Sequence, residues 1–254
     1  MWLICACSRA VILQLARMSS AVRPTRPNPF AIDWEAVRAN AIPALILQAV
    51  MLALVLAYYL SPPVADLLDR LADYKRAHGL AFVIVATIIA ASFLPEIFLV
   101  LFFQGGRVRA QNFRNLLFTA PIWAVDGVTV DFLYRGLAAL LGDTASVPVV
   151  AAKICIDQFG YNVFFAAPYG VLAYQWKNSG FSFPVLRACL TPAFYRDKIV
   201  PTLCTTWAVW IPLMAMIYSL PLALQFPLFS LALTFWVLLL TYMTNRFAGK
   251  TESQ

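Results

Sequence analysis

The sequence predicts an all-α protein, a polytopic transmembrane helix bundle of about six spans. Three observations lead there: the composition, six long apolar stretches, and the placement of the basic residues. The chain is 62% hydrophobic and 12% charged, with a mean hydropathy of +0.76. Soluble domains hold about 45–50% apolar and about 25% charged residues. So little charge cannot coat a globule of this size, and lipid becomes the expected solvent.

The stretches run over 41–60, 80–103, 116–141, 147–176, 202–220 and 226–246. Each approaches or exceeds the roughly 20 apolar residues needed to cross a hydrocarbon core about 30 Å thick. Pro221 and Pro227 make the last connection short. Four regions follow: a basic tail (1–40), an additional span with an interfacial helix (41–79), the main bundle (80–246) and a C-terminal tail (247–254). Within the tail, "RPTRPNP" from Arg23 to Pro29 is expected to be extended, because prolines recur too closely for a helix. Met1–Met18 is weakly apolar and interrupted by Arg9 and Arg17. It reads as a short cytosolic tail or as a segment ahead of a true start at Met18, with an acid-poor organelle leader as the alternative.

Between the first two stretches lies "SPPVADLLDRLADYKRAHG". Ser61 can cap a helix that opens on Pro62 and Pro63. Val64, Leu67, Leu68 and Leu71 recur at helical spacing, and Gly79 ends the segment. An amphipathic helix lying in the interface is expected.

The net charge of +7 reads as a topology signal. Arg107, Arg109, Arg114, Lys177, Arg187, Arg196, Lys198, Arg246 and Lys250 join the tail arginines on one side of the bundle. The other side receives Arg70, Lys75, Arg76 and Arg135. That asymmetry places both ends in the cytosol or its equivalent. No basic stripe interleaves with stacking aromatics, so nucleic acid is excluded as a partner. The partner is the lipid bilayer, with small solutes as candidate cargo. A bacterial inner membrane is expected, with a mitochondrial inner membrane as the alternative. The sequence leaves the oligomeric state open.

Seven polar residues inside the stretches form the candidate interior: Glu96, Asp126, Asp131, Arg135, Lys153, Asp157 and Gln158. An aspartate at mid-helix opposes insertion by about 2.5–3.5 kcal/mol, which the surrounding apolar residues overcome. Once inside, each such group needs a partner or water. Asp131 and Arg135 are four apart and share a helix face. Lys153 and Asp157 are also four apart, and both pairs fall toward the same side of the bundle. Asp126 is deeper, and Glu96, after Pro95, is placed toward the cytosolic half. Asn162, one turn beyond Gln158, offers a further hydrogen-bonding group, and Pro168 is expected to bend the span. These groups either line a path for a polar solute or act as paired polar glue between helices.

Enzymatic readings find no footing. His78 is the sole histidine, which excludes a multi-histidine metal site. No nucleophile elbow or phosphate-cradling glycine loop occurs. Asp126 and Asp157 could form a proton-sharing pair, but their flanks carry no protease signature. The five scattered cysteines have no two-residue gap and read as buried thiols. No cofactor is implied, and the chain is read as non-enzymatic.

From Gly127 onward a series of motifs accumulates: "GVTVDFLYR", "KICIDQ", "WAVWIP", "YSLP" and "FW". In order and spacing the series resembles the family of the 22-kilodalton peroxisomal membrane protein, which also includes a mitochondrial inner-membrane protein. Gly127, Phe132, Tyr134, Arg135, Lys153, Asp157, Gln158, Trp207, Trp210, Pro212, Pro221 and Trp236 fall on motif positions. The resemblance implies a four-helix unit over 80–246. It also implies a non-enzymatic, channel-like or membrane-maintaining role. Departures are concentrated at polar positions: Asp131 replaces a histidine, and Met214 and Ile217 replace a glutamine and an asparagine. The corresponding face of the fifth stretch is therefore apolar here. A non-transporting membrane scaffold is the alternative function.

Overall fold

In a computed structural model the backbone is described over residues 34–251, and side chains over 45–238 apart from Thr205. The expected proline-rich tether, the first segment and the last residues of the C-terminal tail lie outside the described residues, as do the side chains of Arg246 and Lys250. All regular structure among the described residues is helical. Helix α1 spans Trp34–Leu60 and α2 spans Pro62–Ile88. A π-helical segment, π1, runs from Ile89 to Phe93 and leads into α3, Leu94–Phe103. Helix α4 spans Ala110–Leu141. Helix α5, Val147–Ile154, continues through π2, Cys155–Ala166, into α6, Ala167–Asn178. The short helices α7, Phe183–Ala188, and α8, Pro192–Phe194, precede π3, Tyr195–Ile199. Helix α9 covers Val200–Tyr218 and α10 covers Leu222–Thr251.

The described residues bear out part of the expected six spans. Among the described residues, three continuous helical runs are long and apolar enough to cross a membrane: Pro62–Phe103, Ala110–Leu141 and Val147–Asn178. A fourth is obtained if Pro192–Cys204 and Thr206–Tyr218, bent by 50°, count as one broken span. Among the described side chains, the apolar parts of α1 and α10 are followed over Leu45–Leu60 and Leu222–Leu238.

The expected interfacial helix does not stand apart from the second stretch. α2 passes through both, with a bend at Gly79, whose φ of 52° and ψ of −128° suit glycine alone. The bend is needed by the packing. Thr87 lies against Gly127 and Lys75 lies against Asp131. Twelve residues of straight helix would separate Thr87 from Lys75 by about 18 Å, while Gly127 and Asp131 are about 6 Å apart. Turning at Gly79 folds the first half of α2 back toward α4. Leu68 and Ala72 are thereby buried, whereas Leu67 stays 66% exposed.

The three π segments have a common cause. Each ends two residues before a proline: Pro95, Pro168 and Pro201. A proline in a helix lacks its N–H and clashes with the carbonyl one turn back. Widening the preceding turn to i→i+5 bonding relieves both problems. Pro121, Pro212 and Pro227 sit inside helices that carry no such segment.

The apolar core gathers α1, α2, α4, α9 and α10. Met51, Val83, Leu213, Ile217, Phe226 and Ala232 are fully enclosed there. The Val147–Asn178 run adds no fully buried apolar residue to this core; Val150, Ile154 and Tyr161 pack against its edge, and long side chains bridge the run to α4.

Gly127 sets the closest helix approach. A Cβ added there would stand 2.1 Å from Thr87 Oγ1 and 2.9 Å from Thr87 Cβ. Gly127→Ala is expected to destabilise the folded protein by about 1–3 kcal/mol. Thr87→Ala in the same chain should recover part of that. Thermal unfolding of the single and double variants in detergent checks both statements.

Candidate functional site

The Val147–Asn178 run turns its polarity inward. Its buried residues are Lys153, Asp157 and Gln158; α6 adds none. Its large apolar residues face out, with Val147 83% and Phe164 82% exposed. A soluble helix does the opposite. In lipid, apolar side chains belong on the outside and ionisable ones inside.

Lys153 and Asp157 share this inner side without forming an ion pair. The winding changes between them, since π2 begins at Cys155. A wider turn no longer stacks residues four apart. Asp157 instead accepts a hydrogen bond from Tyr218 Oη at 2.7 Å. Tyr218 in turn packs edge-on against Tyr134, with ring centroids 5.3 Å apart. Tyr134 Oη donates to Met214 Sδ at 3.5 Å. The Lys153 ammonium, on a side chain 1% exposed, has Asp143 at 3.8 Å and the Tyr218 ring at 5.9 Å. Gln158 offers its backbone carbonyl to Trp207 Nε1 at 3.1 Å. Its side-chain oxygen accepts from Asn162 on the same helix at 3.3 Å.

Asp131 and Arg135 pair as their spacing predicts, at 2.6 Å. Asp131 also holds Lys75 at 2.6 Å. Lys75 stands outside the expected interior set, because periodicity put it on an interfacial helix. It reaches Asp131 through the Gly79 bend and also lies 5.4 Å from the Phe226 ring centre. The expected single network of Asp131, Arg135, Lys153 and Asp157 is therefore two groups, one on each side of Tyr134.

Asp126 makes neither an ion pair nor a side-chain hydrogen bond among the described residues. It is half-buried and close enough to Asp157 to feel its charge, and to Tyr161 and Tyr169 for its own charge to reach them. Around it, long side chains bridge α4 and the Val147–Asn178 run. Thr129 Oγ1 and Tyr161 Oη are 2.7 Å apart, and Tyr169 Oη donates to the Ile122 carbonyl at 3.0 Å.

Glu96 belongs to the far end of the same seam, near the loop bearing Arg107 and Arg109. It accepts from Asn112 Nδ2 at 2.7 Å, while Asn112 Oδ1 accepts the Arg109 N–H at 2.8 Å. Lys177 Nζ donates to Asn115 Oδ1 at 3.0 Å. Glu96 therefore does not meet Asp126 and Asp157 in one chamber. Polar groups instead run in a line, from Asp143 and Lys153 through Asp157, Asp126 and Thr129 to Asn115, Lys177 and Glu96. A groove of about 280 Å³ between α2 and α10, lined by Leu68, Ala86, Leu228 and Leu231, is apolar and lies elsewhere.

The motif residues occupy packing positions. Trp210 stacks on Phe229 at 5.7 Å, and Trp236 packs at the edge of the core. Pro221 starts the turn into α10, where its carbonyl accepts from Leu224 N at 2.8 Å. Met214 and Ile217 are 2% and 0% exposed, so the apolar face anticipated on α9 points into the core. Comparison with protein-family models, with curated proteins and with solved structures finds no match.

The buried Lys75–Asp131 pair generates a test. Asp131→Asn or Lys75→Met alone leaves a charge inside the bundle and is expected to destabilise by about 3–5 kcal/mol, with Arg135 softening the loss of Lys75. Lys75→Met combined with Asp131→Asn should be less damaging than the two singles summed. A double-mutant cycle by thermal unfolding in detergent measures the coupling.

Proposed function

We propose that the protein is a multi-pass integral membrane protein in which the seam between α4 and the Val147–Asn178 run carries small polar or cationic solutes. The observation that carries the reading is Asp126. It sits mid-way along an apolar helix, half-buried, and its side chain has no hydrogen-bonding or oppositely charged partner among the described residues. Polar glue would have supplied one, as it does for Asp131. An unpaired intramembrane acid beside a second acid and a ring of tyrosine hydroxyls is suited to receiving positive charge or a hydrogen-bond donor from outside the chain.

The resemblance to the peroxisomal membrane protein family agrees with a channel-like role and rests on the motif residues alone. The apolar α9 face argues against a path along α9 and for one along α4. The scaffold alternative has its own support in Asp131, Lys75 and Arg135, whose charges are fully used in holding helices together.

The test is flux of protons, alkali cations and small neutral solutes into proteoliposomes. Flux is expected with the unaltered protein, with a loss of tenfold or more on Asp126→Asn, about what one charge-assisted contact is worth. Asp157→Asn should lower it as well, while Arg135→Gln should leave it largely intact. Absence of flux for every probe, with the protein folded, would favour the scaffold.

A further inference from the structure

The connection between α4 and α5, residues 142–146, crosses the end of the polar seam. We infer that it is a latched strap, with Asp143 as the latch, and that its release opens the seam to water. The inference rests on the seam reading for its consequence, though not for its geometry.

The strap has almost nothing else to hold it. Residues 142–146 are exposed and without regular structure. Gly142 turns the chain at a φ of 83°, a conformation open to glycine. Asp143 is the one strap residue whose side chain bonds to another element, and it reaches two. Oδ1 lies 3.8 Å from Lys153 Nζ, and Oδ2 accepts the Leu222 N–H at 3.1 Å. Leu222 is the first residue of α10, so the carboxylate also caps the positive end of that helix.

Directly beneath lie Lys153, Asp157, Tyr218 and Tyr134, all 5% exposed or less. Asp143, at 3.8 Å, is the single charged partner of this enclosed lysine among the described residues, and a buried charge is compensated only by such a partner. Yet the Asp143 side chain is 44% exposed, and an ion pair open to solvent on one side is weak. The arrangement thus joins a strongly enclosed cation to an easily detached anion. The strap closes the seam in one position and can leave it without unpacking apolar surface of its own, because residues 142–146 are all exposed.

Water-soluble thiol labelling tests this on the full chain in liposomes, with all five native cysteines replaced by serine. The reporter is Val150→Cys, half-buried against the core one turn before Lys153. Leu99→Cys, 4% exposed on α3, serves as the remote control. With Asp143 present, both should label slowly. Asp143→Ala is expected to accelerate labelling of Val150→Cys on the order of tenfold while Leu99→Cys stays slow. Asp143→Glu should restore slow labelling. Unchanged labelling of Val150→Cys in Asp143→Ala overturns the proposal. So does acceleration at both positions, which would make Asp143 a support of the whole fold. If the alanine variant does not fold, Asp143→Asn keeps an acceptor for Leu222 and loses the attraction to Lys153. A wild-type labelling rate in that variant also overturns the proposal. Labelling that behaves as expected with no solute flux would keep the strap and remove the path.

Discussion

The architecture depends on one constraint: ionisable side chains carried on apolar helices must point at other helices. An ion exposed to hydrocarbon is penalised by several kcal/mol, whereas an inward one can find a partner. The Val147–Asn178 run obeys this so completely that its buried residues are all polar. Its position follows from that inversion. It meets the apolar core only at its edge, through Val150, Ile154 and Tyr161, because its fully buried residues are polar. It stands against α4 and is held by tyrosine, threonine and lysine side chains. The gap those side chains span is where Asp126 sits.

The same constraint acts differently on Asp131. Two cations converge on it, one from its own helix and one from α2. The group is satisfied internally and explains why α2 must turn at Gly79. Charge pairing and the close Gly127–Thr87 contact thus specify a single packing of α2 on α4, with the bend as the adjustable part. Asp126 shares a helix with Asp131 but lacks any such convergence.

Much of this was readable from residue types. Apolar content announced helices and lipid. The spacing of Asp131 and Arg135 announced their pair, and Pro95 and Pro168 announced disturbances that the structure realises as π1 and π2. Other features depended on long-range geometry. Lys75 looked interfacial because hydrophobic periodicity describes one helix and says nothing of a bend that carries a side chain elsewhere. Asp143, in a short polar connection, looked like any turn residue. Its two contacts, Lys153 and Leu222, lie in other elements.

The π segments before Pro95, Pro168 and Pro201 have a consequence for anyone drawing helical wheels of this chain. Each inserts a phase slip, so a face traced on one side of the proline lands at a different azimuth on the other. Substitution series planned along an apparent stripe, or sequence alignments that forbid single-residue gaps inside helices, will therefore pair inner positions with outer ones at these three places.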